Sequence, residues 1–420
     1  MRSINKFLEV LKEDILAYAL LVFGFLFRLF YIFLFTTPEK YLWSDPGGYD
    51  HRALQMAKDQ YIMFSTYWPP FFHMVLSLIY RPLVWLGIEN WRIKIDVVIF
   101  ALLYIVGFWC IYQIVKKLFS KKTALIVLLI LILWYPFIFL NYVIMSENLF
   151  FPLFFLGLYF LITRSEKPLT GFWLGLFWGL ATITRPIFIL ALPLFVIWGL
   201  YYKINWRLLI NFVIVTAIII ASMMLFNFYY TKGAEKSISS SGGFNFAMSW
   251  CDVKSVGFRN SGYSFWFGSV ANIDYPDSKK IFTEVPFENQ KYYYQIGFNC
   301  IKNHPEILLK NFYSAVKLFH SHLFPTIGNV AYWENFRATF KFLIGLFLLF
   351  DLLTILGFLT KKIEISKETE KYLCLMLLIV LSLPIIIYLQ NVGEERYLIP
   401  YQPLLIILAI PAINSLFKST

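Results

Sequence analysis

Apolar runs that reach or approach the ~20 residues needed to cross a bilayer core recur along the chain, bounded by clusters of lysine and arginine. With no water to pair backbone N–H and C=O groups, such segments can only be transmembrane helices or the strands of a closed barrel. A barrel would show ~10-residue segments of alternating polarity, and no such alternation occurs. The 420 residues are 59% hydrophobic and 20% aromatic with only 15% charged, and the 45 Phe and 27 Tyr suit lipid-facing and interfacial helices. The expected fold class is all-α, a polytopic transmembrane helical bundle.

The basic clusters set the topology. They fall at Arg2, Lys6 and Lys12; at Lys116, Lys117, Lys121 and Lys122; at Arg164 and Lys167; at Lys203 and Arg207; at Lys361, Lys362, Lys367 and Lys371; and at Lys418. All are cytoplasmic if the N-terminus is cytoplasmic and ten spans run at roughly 15–36, 95–115, 123–141, 147–163, 171–184, 186–202, 208–228, 339–359, 372–389 and 398–416. Residues 1–14 mix both charge signs ahead of a span too long for a signal-peptide core, and no small-residue cleavage site follows, so a retained cytoplasmic anchor is expected. The apolar stretch 69–87 would invert every later cluster if it crossed, and Arg81-Pro82 interrupts it. It is therefore expected to be an in-plane or re-entrant helix on the outer surface.

Three parts follow: an N-terminal transmembrane module, 1–228, with a first outer loop at about 37–94; an extracytoplasmic region, 229–338; and C-terminal transmembrane helices, 339–420. The second part opens on the Ser/Gly cluster SISSSGGFNF, and its NHPEILLKNFYSAVKLFHSHLF reads as a Pro-started amphipathic helix lying in the interface. No repeat or coiled-coil heptad stands out, and no C-terminal soluble domain is expected.

Several function classes are disfavoured. The net charge of +12 is spread over span ends rather than gathered on one polar domain, which argues for topology over nucleic-acid binding. GxGxxG, Walker A and GxSxG patterns are missing, against a nucleotide-driven pump or a serine hydrolase. There is no CxxC or HExxH, so no structural metal site is expected. Cys110 and Cys374 lie within spans and read as packing; Cys251 and Cys300 lie in the outer region, where a bridge and two free thiols are both open.

One segment stands apart. SDPGGYDHRALQMAKDQY, residues 44–61, puts Asp45 where the first span surfaces, beside an expected Pro-Gly-Gly turn and a short amphipathic helix beginning around Tyr49. Asp45 is a candidate catalytic base; its bland alternative is an N-cap or Asx-turn before that helix.

Further motifs occur in order: Asp45-x3-Tyr49-x3-Ala53, WPPFF at 68–72, Ser146-Glu147-x-Leu149 opening a span, GLATITRP at 179–186, SGGFN at 241–245, NHPE at 303–306 and EERYLIPYQP at 394–403. Together they cover nearly the whole chain and resemble the GT-C glycosyltransferases related to protein O-mannosyltransferases and the aminoarabinose transferases of lipid A. The resemblance implies a GT-C type bundle with extracytoplasmic in-plane helices. It also implies transfer of a sugar from a polyprenyl-phosphate carrier to a lipid, glycan or protein hydroxyl, at a site on the extracytoplasmic side of a plasma membrane.

Such transfer needs a base, cations for the leaving phosphate and an apolar groove. By resemblance, Asp45 is the catalytic carboxylate. Many relatives carry a second acid directly after it, whereas this chain has Pro46, so a divalent cation is left open as a cofactor. Asp50 can face elsewhere, and Glu147 at the mouth of a span is the better second carboxylate; its alternative is a helix-start charge favourable to the dipole. Arg185 and Arg396 at outer span ends suit the donor phosphate through their planar forks, against an alternative of snorkelling to lipid head groups. The Lys-Pro pair of the aminoarabinose transferases is Pro69-Pro70 here; His51 and Arg52 are the substitutes considered, or a solvated helix face. Tyr49, Trp68 and Tyr397, with Tyr67 and Tyr401, are candidates for the sugar or lipid pocket, or ordinary interfacial aromatics.

The rival from another class is a polyprenyl-lipid flippase or other transporter, which should show repeated halves and charged or broken helices at mid-membrane. Neither is expected from the sequence. An oligosaccharyltransferase is disfavoured by the lack of a WWD-like motif and of a large C-terminal domain.

Overall fold

The computed structural model describes residues 14–42, 45–60, 67–251, 289–309, 312, 333–360, 363, 365–390 and 397–418. Among these, every regular element is a helix. In chain order they are α1 (Ile15–Phe35), α2 (Asp45–Ala57), α3 (Pro70–Trp85), α4 (Arg92–Leu118), α5 (Lys121–Leu133), α6 (Tyr135–Asn141), α7 (Glu147–Thr163), α8 (Thr170–Thr184), α9 (Ala191–Tyr201), α10 (Trp206–Tyr230), α11 (Ser241–Cys251), α12 (Gln290–Asn303), α13 (Trp333–Leu359), α14 (Lys367–Gln390) and α15 (Gln402–Lys418). Short 3-10 turns at Pro38–Tyr41, Glu89–Trp91, Pro186–Leu190 and Ile399–Tyr401 join several of them. The all-α polytopic bundle expected from the sequence is what the chain forms.

All ten expected span regions are helical. The segments Ile15–Phe35, Glu89–Leu118, Trp206–Tyr230 and Ile399–Leu416 are each long and apolar enough to cross a membrane, and α5 with α6 makes a fifth as a broken pair. Shorter apolar helices run at Glu147–Thr163, Thr170–Thr184, Pro186–Tyr201 and Gly345–Leu359. The helix α3, at 16 residues, is about 24 Å long and short of the hydrocarbon thickness. It lies against α2 and carries Pro82 inside it.

Two sequence expectations are corrected. The span expected at 123–141 is not one helix: it breaks at Trp134, whose extended backbone precedes Pro136 in the first turn of α6, and the two halves are bent by 51°. Pro136 has no N–H with which to continue the hydrogen-bond ladder, and its ring clashes with the carbonyl four residues earlier. The absence of charged or broken helices is also overturned, because Arg28 sits inside α1 with 0% exposure. Its Nη1 and Nη2 donate to the carbonyls of Gly24 (3.2 Å) and Leu131 (3.4 Å), and its guanidinium lies 4.7 Å from the Phe108 ring centroid. Leu131 is in the last turn of α5, so the cation meets the negative end of the broken helix, sharing a carbonyl that also accepts from the Trp134 N–H at 3.3 Å. Arginine and break are one arrangement.

The main buried cluster among the described residues is aromatic-rich and draws on α1, α4 to α10, α14 and α15. Phe150, Phe151, Phe154 and Phe155 of α7 are fully buried at its centre. The helices α8 and α10 approach unusually closely: Gly171, Gly175 and Gly179 recur every four residues on the face of α8 turned to α10, and a Cβ at Gly175 would lie 2.8 Å from the Phe212 carbonyl. Small residues at this spacing let two helix backbones touch, the usual basis of tight packing within membranes. Thr216 donates across this seam to the Gly175 carbonyl at 3.3 Å.

In the region after α10, α11 and α12 pack together and are joined by a Cys251–Cys300 disulfide. Cys110 and Cys374 are free thiols. The interfacial helix expected at 303–324 lies mostly outside the described residues, as do residues 1–13 of the expected anchor.

Candidate active site

Side chains from the start of α2, the start of α7, the end of α8 and the segment before α15 gather in two clusters linked through α3. Helix α2 begins at Asp45 rather than near Tyr49. The Pro-Gly-Gly expected as a turn is the first turn of the helix. Pro46 is tolerated there because the first N–H groups have no intrahelical partner. The glycines serve close approach instead: a Cβ on Gly47 would strike the Leu42 carbonyl, and one on Gly48 would lie 2.8 Å from the Trp68 ring.

Trp68 is the hub of the first cluster. Its Nε1–H donates to Asp45 Oδ1 at 3.0 Å. The guanidinium of Arg52 lies 4.6 Å from an indole ring centroid, and the Tyr49 ring is at 5.9 Å. Helix geometry explains the grouping: Arg52 is seven residues from Asp45, about 20° short of two full turns, and Tyr49 is about 40° past one turn. His51, about 240° round from Asp45, is exposed on another face, so the expected His51–Arg52 pair splits and only Arg52 joins the cluster. Burial lowers the pKa of Arg52 from its ordinary value, with Tyr49 opposing. Beneath Tyr49, at 6.4 Å between rings, is His73, 2% exposed; burial, with the Arg52 charge adding, pushes its pKa down to about 3 and keeps it neutral.

Glu147 and Arg185 form the second cluster. Glu147 opens α7 and is 0% exposed. Its Oε1 lies 2.5 Å from Arg185 Nη1, and Ser146 Oγ–H donates to Oε2 at 3.2 Å. Arg185, in extended backbone directly after α8 because Pro186 follows, also donates to Ser146 Oγ at 3.4 Å and lies 4.6 Å from the Tyr397 ring centroid. Tyr401 packs on Phe150 and Phe154 of α7. Snorkelling is thus not the role of Arg185, which turns inward to a buried carboxylate. Arg396 lies outside the described residues.

Helix α3 links the two clusters. Its Phe72 meets the Tyr49 ring edge-on at 4.9 Å, and Ile144 and Leu149, flanking Glu147, pack in the same apolar group. On its other side, Phe71 and Met74 pack against Ile183, two residues before Arg185. Tyr67 lies against α11, its ring 6.0 Å from Phe244 and its hydroxyl 3.5 Å from Asn245 Oδ1.

A third group gathers around Asp50. Asp50 faces away from Asp45, about 140° round the helix, and accepts a two-pronged bond from Arg92, Nε to Oδ1 at 2.7 Å and Nη2 to Oδ2 at 2.8 Å. The Tyr80 hydroxyl lies between Asp50 Oδ1 (3.1 Å) and Asp96 Oδ2 (2.5 Å). The residues come from α2, α3 and α4 and are 42, 30 and 16 positions apart. No local spacing could announce them. Among the described residues, no three of His, Cys, Asp and Glu converge as metal ligands.

The arrangement offers a carboxylate oriented by an indole, a cation on the same indole and a buried arginine–glutamate pair joined to them through α3. No curated protein matches the chain significantly. Residues 69–230, from Pro69 to the end of α10, match the family model described as dolichyl-phosphate-mannose-protein mannosyltransferase. This span holds α3, Glu147 and Arg185, and over it the chain resembles the membrane glycosyltransferases of that family.

Proposed function

We propose that the chain moves a sugar from a polyprenyl-phosphate carrier to a hydroxyl acceptor on the extracytoplasmic side of a plasma membrane, by direct displacement with anomeric inversion. The observation that carries this reading is the single aromatic platform of Trp68, which holds the Asp45 carboxylate through its N–H and the Arg52 cation on its face. A base and a phosphate-binding cation are the two charges the reaction needs within a sugar's length of each other.

Asp45 accepts the proton of the acceptor hydroxyl as that oxygen bonds to the anomeric carbon. The bond from anomeric carbon to phosphate oxygen breaks, and its electron pair leaves on the polyprenyl phosphate. Asp45 then returns its proton to solvent. Arg52 and Arg396 hold the phosphate, Tyr49 and Tyr397 line the sugar or lipid pocket, and Glu147 fixes the Arg185 fork at its inner wall. The resemblance leaves a divalent cation open, and no step here is routed through one.

The reading of a lipid flippase draws on the broken α5–α6 pair and Arg28. Their mutual bond accounts for both without a transported substrate. The two readings separate on chemistry, since a flippase leaves the sugar–phosphate bond intact.

The test is transfer by purified protein in nanodiscs from polyprenyl-phosphate sugars, with mass spectrometry of envelope glycolipids and glycoproteins in cells with and without the gene to choose donor and acceptor. Asp45→Asn is expected to abolish transfer with donor binding nearly intact, because the amide keeps the shape but cannot take the proton. Activity within a few-fold of wild type would remove Asp45 as the base and leave it a helix-start residue.

A further inference from the structure

The Asp50–Tyr80–Asp96 group contains more acceptors than ionised side chains could satisfy. A tyrosine hydroxyl has one proton to donate, yet Tyr80 Oη lies within hydrogen-bonding distance of a carboxylate oxygen on each side. Burial, with Asp96 and Asp50 adding, holds the Tyr80 phenol well above its ordinary pKa, so that proton stays on Tyr80. A second proton must therefore sit on one of the acids. Asp50 is the ionised one, since both its oxygens receive the Arg92 fork and a charged guanidinium paired two-pronged calls for a carboxylate. Asp96 has no cation of its own: it is 0% exposed, and its Oδ1 has no hydrogen-bond partner. An isolated carboxylate buried in this way would cost several kcal/mol.

We infer that Asp96 is held as the neutral acid, donating to Tyr80 Oη while Tyr80 donates to Asp50, and that this chain positions α2 and the Asp45 it carries. Every group then has its role: Asp96 O–H to Tyr80, Tyr80 O–H to Asp50, and Asp50 to Arg92. The titratable and charged groups around it are Asp50 of α2, the neutral Tyr80 of α3 and Arg92 of α4. Arg92 Nη1 also donates to the Glu89 carbonyl, and the Glu89 carboxylate is taken up by Lys58 at 2.6 Å. No further cation bonds to Asp96 among the described residues. The positioning role rests on the proposed transfer reaction; the protonation does not.

Two arms separate these claims. The first is infrared difference spectroscopy of the full chain in nanodiscs at neutral pH, wild type against Asp96→Asn. It should show loss of one protonated-carboxyl C=O stretch, while Asp96→Asn keeps the wild-type melting temperature because its amide N–H replaces the acid as donor. Asp50→Asn should lower that temperature. An unchanged carboxyl stretch, or an Asp96→Asn variant as unstable as Asp50→Asn, would mean that Asp96 is ionised and would overturn the inference.

The second arm is transfer kinetics. Asp96→Ala is expected to lower kcat more than it changes the donor KM, and Asp96→Asn to restore kcat. Wild-type kcat in Asp96→Ala would overturn the positioning role. If Asp96→Ala does not fold, Tyr80→Phe, which removes the same link, is read in its place. If no donor supports transfer by any variant, the first arm still decides the protonation, and the failure belongs to the proposed reaction.

Discussion

Replacing Glu147 with glutamine removes one charge from a pair whose side chains are 1% and 8% exposed and 2.5 Å apart. Breaking a buried pair by removing one of its partners typically costs about 3–5 kcal/mol. The glutamine carbonyl can still accept from Arg185, and the Tyr397 face remains 4.6 Å away. Because those contacts persist, the lower end applies, about 3 kcal/mol. Arg185→Leu should cost a similar amount by removing the other half of the pair. The double variant holds no charge, so the two losses should fall short of additive by about 2 kcal/mol or more. Transfer activity should not return with stability, because the arginine fork proposed as the inner wall of the phosphate site is gone. Unfolding in mixed detergent micelles, followed by tryptophan fluorescence, gives the four stabilities of the cycle. A loss below about 1 kcal/mol for Glu147→Gln with strict additivity is the behaviour of a solvent-screened surface pair, and would refute the reasoning.

Two further outcomes concern the first outer loop. Cysteines placed at Asp59 and Glu89, on either side of α3, should both label from outside intact cells; labelling from opposite sides would make α3 a span and invert the later topology. Because burial holds His73 at about 3 against an ordinary 6.5, the unfolded chain binds a proton that the folded protein refuses. The associated stability is fully present above 6.5 and is lost as pH falls toward 3. His73→Gln should flatten the acid side of the stability profile, and an unchanged slope in a pH series of unfolding midpoints would show that His73 is not buried neutral.

What was legible in the sequence was periodic or local. Hydropathy set the helical regions, and Tyr49 and Arg52 fall on the amphipathic helix expected from about Tyr49, whereas Asp45 joins their face only because the helix starts four residues earlier. Composition misled at Pro46-Gly47-Gly48, where residues that usually signal a turn instead permit close contact with Leu42 and Trp68. Arg28 was overlooked because a lone charge inside an apolar run carries no mark of its partner, here a carbonyl 103 residues away. The same holds for Glu147 with Arg185 and for Asp50 with Arg92: each residue could be suspected singly, but their pairing is a tertiary fact. Whether Cys251 meets Cys300 likewise depended on a distance that spacing does not encode.

The glycine seam of α8 has its own consequence for how this protein can vary. Arg185 follows α8 directly, and at Gly171 and Gly175 the face of α8 turned to α10 meets main-chain atoms of Leu208 and Phe212. Substitutions on the lipid-facing side of α10 leave that reference surface untouched and should be nearly silent, whereas one methyl group at Gly175 meets the Phe212 carbonyl, which has no rotamer with which to retreat. Tolerance along these two helices should therefore be sharply uneven. Suppressors of a Gly175→Ala defect should arise where main-chain path can change, at the loop joining α9 to α10, rather than at the neighbouring side chains.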